Sequence, residues 1–304
     1  MRKEDIRMPK MLITKIEKAY PSLSKGHKLI ADFILEHYDK AAFMTAAKLG
    51  EKVGISESTV VRFAVEIGYE GYPELQKNLQ ELIKSRLTSV QRMEVANINI
   101  SEGNLLDKAL TADIEMIRAT LEQTSREAFA ASVKAINQAR RIYILGVRSS
   151  ASLASFTAFY FNLFCDNVVL VDSASASEMF EQMYRISKED VCIAISFPRY
   201  SKQTINALRF VRDRGATIVS VTDSNSSPIA HLANHLLIAR SNMVSFVDSL
   251  VAPLSLINAL IAAAARSRSE EVFNNLHALE SIWGEYQVYE TQQEDDEDEE
   301  GIPK

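Results

Sequence analysis

From residue 10 to about residue 90 the apolar positions recur at helical spacing. Ile30, Phe33, Ile34 and Tyr38 share one face of a helix that follows Leu23. Between Thr45 and Gly68, the residues Ala46, Leu49, Val53, Ile55, Val60, Phe63 and Ile67 fall on faces that can pack together. This stretch predicts two short helices joined by a tight turn. Thr45 can cap the first helix, and Gly54 can supply the left-handed turn residue. Ser56 can cap the second helix, with its hydroxyl on the amides of the first turn. Pro73 can open a further helix, Glu74 to Arg86, at its first turn. Val90 to Asn104 is polar and mixed and reads as a linker. Leu105 to Leu121 and Arg126 to Ala139 read as helices leading into a second domain.

From Arg141 the pattern changes. Ile142–Leu145, Val168–Val171, Val191–Ile195, Thr217–Val221 and Leu236–Ala239 are short apolar runs, each about one helix apart. Such runs predict parallel strands buried on both faces with helical crossovers. The fold class is therefore α/β: an N-terminal all-α domain, then a three-layer α/β domain with a five-stranded parallel sheet. The boundaries are 1–88 for the first domain, 89–124 for a linker and linker helix, and 125–268 for the second domain. Residues 269–304 form a C-terminal helix and an acidic tail. The apolar segment Val247 to Ala265 leaves two readings open, a buried core helix or the lining of a helix-mediated interface between copies.

The length of 304 residues and a hydrophobic content of 47% suffice for two cores. No apolar run reaches the roughly 18 residues needed to span a bilayer. The N-terminus, Met1 to Arg7, carries acidic residues and has no apolar core, so it does not read as a secretory signal. Cys165 and Cys192 sit in apolar contexts and read as buried reduced thiols, which points to a cytoplasmic protein. The net charge of −6 is uneven. Residues 1–90 hold 15 Lys/Arg against 12 Asp/Glu, so the deficit lies in the rest of the chain. Much of it is the run Glu294–Glu300, read as a solvated, disordered tail.

The exposed face of the second short helix is Ser56, Glu57, Ser58, Thr59 and Arg62. Small polar residues at a helix N-terminus can come close to a phosphate or a base edge, and Arg62 supplies charge. A helix-turn-helix reading the major groove of double-stranded DNA needs this combination. With Thr45 at the start of the preceding helix, these are the candidate DNA-binding residues. An αα-hairpin with no DNA role would share the same spacing.

In open parallel sheets, ligands bind beyond the carboxyl ends of the strands. The segments that follow the first four strands are Gly146–Ser150, Asp172–Ser177, Ser196–Ser201 and Thr222–Ser227. All are rich in hydroxyls, and each is expected to open a helix. Hydroxyls, backbone amides and helix N-termini together suit a phosphate or carboxylate on a polyol.

At this point the chain resembles the RpiR family of bacterial transcriptional regulators, which pair a helix-turn-helix domain with a SIS (sugar isomerase) domain. The first domain carries the resemblance in Ile30–Ile34, Ser56–Phe63 and Gly68–Leu75. The second carries it in Gly146-x-x-x-Ser150-x-x-x-Ala154, Ile195-Ser196, Gly215–Asp223 and Ser227–Ala230. The resemblance implies a sensor of a small anionic metabolite such as a sugar phosphate or sugar acid. One recognition helix reads only a few base pairs, so a homo-oligomer, dimer or tetramer, is expected. No cofactor and no metal are expected. Ser150, Ser196 and Ser201 fall where family members usually set hydroxyls against the ligand phosphate. The candidate ligand-binding set is therefore Arg148, Ser149, Ser150, Ser196, Arg199 and Ser201. Arg148 stands where a glycine is usual, and Pro198-Arg199 replaces a usual Ser-Gly pair. Added arginines can clamp an anion but also take space, implying a ligand more acidic or smaller than a hexose phosphate. Val65 and Glu66 replace residues that are often basic, which weakens the case for phosphate contacts at those two positions.

SIS domains also occur in isomerases, where a carboxylate or histidine near the strand ends moves a proton between carbons. Glu178, Glu181, His231, His235 and His277 are the candidates for such a base. His231 and His235 at i,i+4 resemble a metal pair without a third ligand. A sugar-phosphate isomerase with a DNA-binding appendage is thus the alternative to a regulator. A third possibility is a SIS fold that serves only as a dimerisation scaffold.

Overall fold

The apolar periodicity of the first domain resolves into six helices in the computed structural model, which describes residues 10–83, 88–93, 105–172, 175–243 and 247–289. They are α1 (Lys10–Ala19), α2 (Lys25–Glu36), α3 (Tyr38–Ala41), α4 (Ala46–Val53), α5 (Glu57–Glu66) and α6 (Tyr72–Ile83). Ile30, Ile34, Leu49, Val60, Phe63, Leu75 and Leu79 are buried together in its core. Polar contacts fix the packing. The buried His27 on α2 meets Glu66 at the end of α5, Nδ1 to Oε2 2.6 Å. The Tyr72 hydroxyl on α6 donates to the Met44 carbonyl at 2.7 Å, and Gln76 Nε2 donates to the same oxygen at 2.8 Å. Burial raises the Tyr72 phenol above its ordinary range, so it stays a donor. Residues 84–87, most of the expected linker and the run Glu294–Glu300 lie outside the described residues.

The second domain holds β1 (Ile142–Gly146), β2 (Val168–Val171), β3 (Val191–Ile195), β4 (Thr217–Thr222) and β5 (His235–Ile238). They form one parallel sheet in the order β2-β1-β3-β4-β5. Its helices are α8 (Leu105–Gln123), α9 (Arg126–Gln138), α10 (Ser150–Asn162), α11 (Ala176–Met183), α12 (Lys202–Asp213), α13 (Val251–Arg266) and α14 (Ser269–Glu285). Alternation along the strands sorts the core into two layers. Ile142, Ile144, Ile193 and Ile195 face α9, α10 and α13. Tyr143, Leu145, Cys192 and Ala194 face α11 and α12. Both cysteines are free and buried, and burial pushes the Cys192 thiol up to about 12.

Several expectations need correction. The edge strand β2 is only half-buried over Val168–Leu170, because a strand at a sheet edge has a neighbour on one side only. The segment after β4 opens no α-helix. It forms only a short 3-10 turn, Ala230–Leu232, because the chain from Thr222 to His235 has about the dozen residues that a parallel crossover needs at minimum and leaves little length for a helix. Asn234 closes that connection, its side chain accepting from the Ile218 amide at 2.8 Å. The segment Val247 to Ala265 yields a core helix: Ala252, Leu256, Ile257, Leu260, Ile261 and Ala264 of α13 are buried. The exposed apolar stripe lies elsewhere, on Leu106, Leu110, Ile114, Ile117 and Leu121 of α8. This helix is anchored at its C-terminal end. The Thr120 hydroxyl accepts from the Arg240 amide at 2.8 Å, and the Thr124 hydroxyl donates to the Ile238 carbonyl at 3.0 Å.

Between the two domains runs a short helix, α7, described over residues 89–93. Gln91 Nε2 donates to Asp39 Oδ2 of the first domain at 3.3 Å. Arg92 Nη1 donates to Asp248 Oδ2 of the second at 2.7 Å.

Candidate functional site

Two surfaces carry the residues singled out in the sequence. On the first, α4 and α5 meet at a turn too tight for a side chain at one position. A Cβ on Gly50 would lie 2.7 Å from the Ile55 carbonyl oxygen, and the Ile55 amide donates to the Gly50 carbonyl at 2.8 Å. Gly54 supplies the left-handed residue of the turn, with φ 74°. The Thr45 hydroxyl caps α4, accepting from the Lys48 amide at 3.2 Å. Ser56 stands at the N-cap of α5, but its hydroxyl makes no cap bond. It contacts the Thr59 hydroxyl at 2.8 Å and the Ser58 hydroxyl at 3.0 Å instead. The competing side-chain hydroxyls in the first turn account for this departure. Arg62 is exposed and folds back over this cluster, with Nε 3.3 Å from the Ser58 carbonyl and Nη2 3.4 Å from the Thr59 hydroxyl. Glu57 is exposed beside them, and Lys48 and Lys52 are exposed on α4. Neither lysine is distinguishable in the sequence from any other surface lysine. Glu66 is turned toward His27 and is engaged within the domain.

The second surface is a cleft of about 970 Å³ beyond the carboxyl ends of β1 and β3. Connections from these neighbouring strands leave toward opposite faces of the sheet, β1 to α10 on one side and β3 to α12 on the other. This is the topological switch point, where the two diverging loops open a crevice. All six residues of the expected set line it: Arg148, Ser149, Ser150, Ser196, Arg199 and Ser201.

Close packing of α10 on β1 sets the first loop. A Cβ on Gly146 would lie 2.6 Å from the Ser150 carbonyl oxygen and 2.9 Å from the Ala154 Cβ. The Gly146, Ser150 and Ala154 spacing therefore lets a helix start almost against the strand end. Ser150 is buried, while Arg148 and Ser149 are exposed. Arg148 has φ 58°, in the left-handed region that disfavours a side chain by about 1–2 kcal/mol. The second loop is tied down from below. The Ser196 carbonyl accepts from the Thr222 hydroxyl at 2.7 Å, and that hydroxyl also meets Ser227 at 2.8 Å. The Tyr200 hydroxyl donates to Asp223 Oδ1 at 2.6 Å. Burial, followed by the charge and hydrogen bond of Asp223, pushes the Tyr200 phenol above its ordinary range, so it remains a donor. The Ser201 hydroxyl caps α12, accepting from the Gln203 amide at 3.2 Å.

Sequence reasoning missed the members supplied from outside the strand loops. Ser89 and Arg92 of α7 line the cleft, as does Asp248. Arg199 Nη1 donates to the Ser89 hydroxyl at 3.4 Å. Nothing in a mixed polar stretch marks Arg92, whose place is set by how the two domains meet. Lys202 adds a fourth cation to Arg92, Arg148 and Arg199, against Asp248 as the one lining carboxylate among the described residues. Glu178, Glu181, His231, His235 and His277 do not line the cleft. Among the described residues no group of three or more His, Cys, Asp or Glu could hold a metal ion. No helix among them is long and apolar enough to cross a membrane.

Residues 10–86 match the helix-turn-helix domain of the rpiR family, and residues 135–263 match the SIS domain. An uncharacterized HTH-type transcriptional regulator of Haemophilus influenzae is 27% identical over 230 residues, 75% of this chain and 79% of that protein. The sugar isomerase domain of an RpiR transcription factor from Sphaerobacter thermophilus is 28% identical and superposes with a TM-score of 0.56. That match covers 59% of this chain and 99% of the other. The Vibrio vulnificus NanR protein, solved in complex with ManNAc-6P, is 21% identical, with a TM-score of 0.56 over 92% of this chain and 100% of that one.

Proposed function

We propose that this chain, which belongs to the RpiR family of transcriptional regulators with helix-turn-helix and SIS domains, is a cytoplasmic, non-enzymatic sensor. Its SIS cleft takes a sugar phosphate or related acidic metabolite, and occupancy changes the affinity for a DNA operator. The observation that carries the reading is the composition of the cleft at the switch point. Four serines and two arginines from two strand-end loops converge there. The buried Ser150 and Ser196 suit the oxygens of a phosphate or carboxylate, with Ser201 beside them. Arg148 keeps a strained backbone at the mouth of the cleft, and such outliers concentrate where a side chain serves a ligand. ManNAc-6P in the complex of NanR, a protein of the same fold, supports the ligand class at the level of fold. An isomerase would need a free base at the reacting carbon, and the one carboxylate among the described lining residues, Asp248, is held by Arg92.

The oligomer is two-fold symmetric in this reading, because one recognition helix reads only a few base pairs and specificity needs two half-sites. The exposed stripe Leu106, Leu110, Ile114, Ile117 and Leu121 on α8 supplies apolar surface for a second copy. Light scattering at micromolar concentration should give a dimer or tetramer; a monomer contradicts the assignment.

On the DNA side, Arg62 contributes sequence-independent affinity while Ser58 and Thr59 tune base preference. With an operator selected from a random duplex library, Arg62→Ala should weaken binding to all duplexes. It should also reduce the salt slope by about one unit, for one lost phosphate contact. Normal affinity with an unchanged slope would remove α5 from the groove.

On the ligand side, occupancy should change operator affinity by about 5–150-fold, the usual range of coupling between sites. Arg199→Ala should leave folding and ligand-free DNA binding intact and abolish this response. The measurement is operator binding with and without a panel of sugar phosphates and sugar acids, on wild type and variant. An undiminished response in Arg199→Ala removes that residue from the site. No thermal stabilisation by any acidic metabolite would favour a SIS fold used only as a scaffold.

A further inference from the structure

Arg92 is almost fully buried, at 3% exposure, yet it belongs to neither domain's core. It comes from α7 and reaches into the SIS cleft, where Nη1 lies 2.7 Å from Asp248 Oδ2. A buried guanidinium without an anion is strongly unfavourable, so Arg92 needs a negative partner in every state of the protein. The cleft is also where an incoming anion would sit, among Arg148, Arg199 and Lys202.

We propose that Arg92 is part of the anion site and that Asp248 is its stand-in partner. The anionic group of the ligand displaces the Asp248 carboxylate from Arg92, and this exchange is what the DNA-binding domain senses. The proposal rests on the reading of the cleft given above and assigns its regulation to one ion pair.

Both partners of the pair are attached to the DNA-binding domain, which makes the exchange consequential. On one side, Gln91, adjacent to Arg92 on α7, donates to Asp39 of α3. On the other, Asp248 pairs as an isolated antiparallel bridge with Met243, and Met243 packs against the core of the first domain. Ser89 ties the start of α7 to Arg199 of the cleft. An anion that draws Arg92 toward Ser150 and Ser196 therefore pulls on α7 and frees the side chain of Asp248, the bridge partner of Met243, in one step. Two discrete pairings of one cation form a two-state element that both the cleft and the DNA-binding domain can bias.

The test uses the full chain and inorganic phosphate as the probe, with affinity measured by calorimetry. Wild type, Asp248→Asn, Arg92→Gln and the double variant complete a cycle, with Ser150→Ala as reference for the cleft. Asp248→Asn should bind phosphate about 5–150-fold more tightly, because no carboxylate competes for Arg92. Arg92→Gln should bind more weakly than wild type, and adding Asp248→Asn to it should recover none of the gain seen in the single variant. The double variant leaves no unpaired charge, so a folding defect confined to Arg92→Gln is recognised by comparison with it. A gain of the same size in the Arg92→Gln background means that Asp248 only repels anions, and the exchange is overturned. Phosphate binding lost in Ser150→Ala but unaltered in the Arg92 and Asp248 variants overturns the exchange and leaves the sensor reading standing. Absence of phosphate binding to the wild-type chain overturns both.

Discussion

The SIS cleft depends on how closely α10 approaches β1. With a carbonyl oxygen 2.6 Å from where a Cβ would stand, only glycine fits at residue 146. That contact fixes the start of α10 directly beyond the strand end and leaves a short loop to connect them. Ser150 is buried by it, and Arg148 is forced into a left-handed conformation at the rim. Because β3 lies beside β1 and its helix departs to the other face, the Ser196–Ser201 loop comes to the opposite wall. Tyr200, Asp223 and Thr222 then hold that wall in place. These two strand-loop walls, held by packing and buried hydrogen bonds, need little reorganisation when an anion enters, which favours selectivity among ligands.

The sequence made the sheet legible because strands buried on two faces leave uninterrupted apolar runs. All five strands lie within a residue of the expected positions. The helix-turn-helix was legible through Thr45, Gly54 and the apolar spacing. Gly50 was not, since a residue in mid-helix carries no mark of the backbone that will pass beside it. The six expected cleft residues come together because a parallel sheet puts alternate loops on one edge whatever the details of packing. Strand order, which selects the loops after β1 and β3 over the others, is a property of tertiary structure and had no signal. Arg92 and Asp248, 156 residues apart, meet only because two domains dock. The role of α13 was open because a run of Ala, Leu and Ile reads alike in a core and in an interface; burial decides for the core.

In the proposed function the two domains have different electrostatic tasks. The first needs a modest positive balance to hold DNA phosphates, and its exposed Lys48, Lys52 and Arg62 supply charge around a small polar helix start. The second needs concentrated positive charge in a confined place, and the arginines of the cleft supply it against one carboxylate among the described lining residues. On this proposal an overall negative chain would bind two kinds of anion, because location rather than net charge governs each interaction. The short helix α7 is where these tasks meet, since it touches Asp39 on one side and the cleft on the other.

In the proposed function an acidic metabolite occupies the cleft at the ends of β1 and β3. A crystal structure of the full chain with the sugar phosphate or sugar acid that most raises its melting temperature tests this directly. The anionic group should lie within about 2.7–3.1 Å of the Ser150, Ser196 and Ser201 hydroxyls, at ordinary hydrogen-bond length. Density for that ligand anywhere else, with these three hydroxyls facing only water, would contradict it.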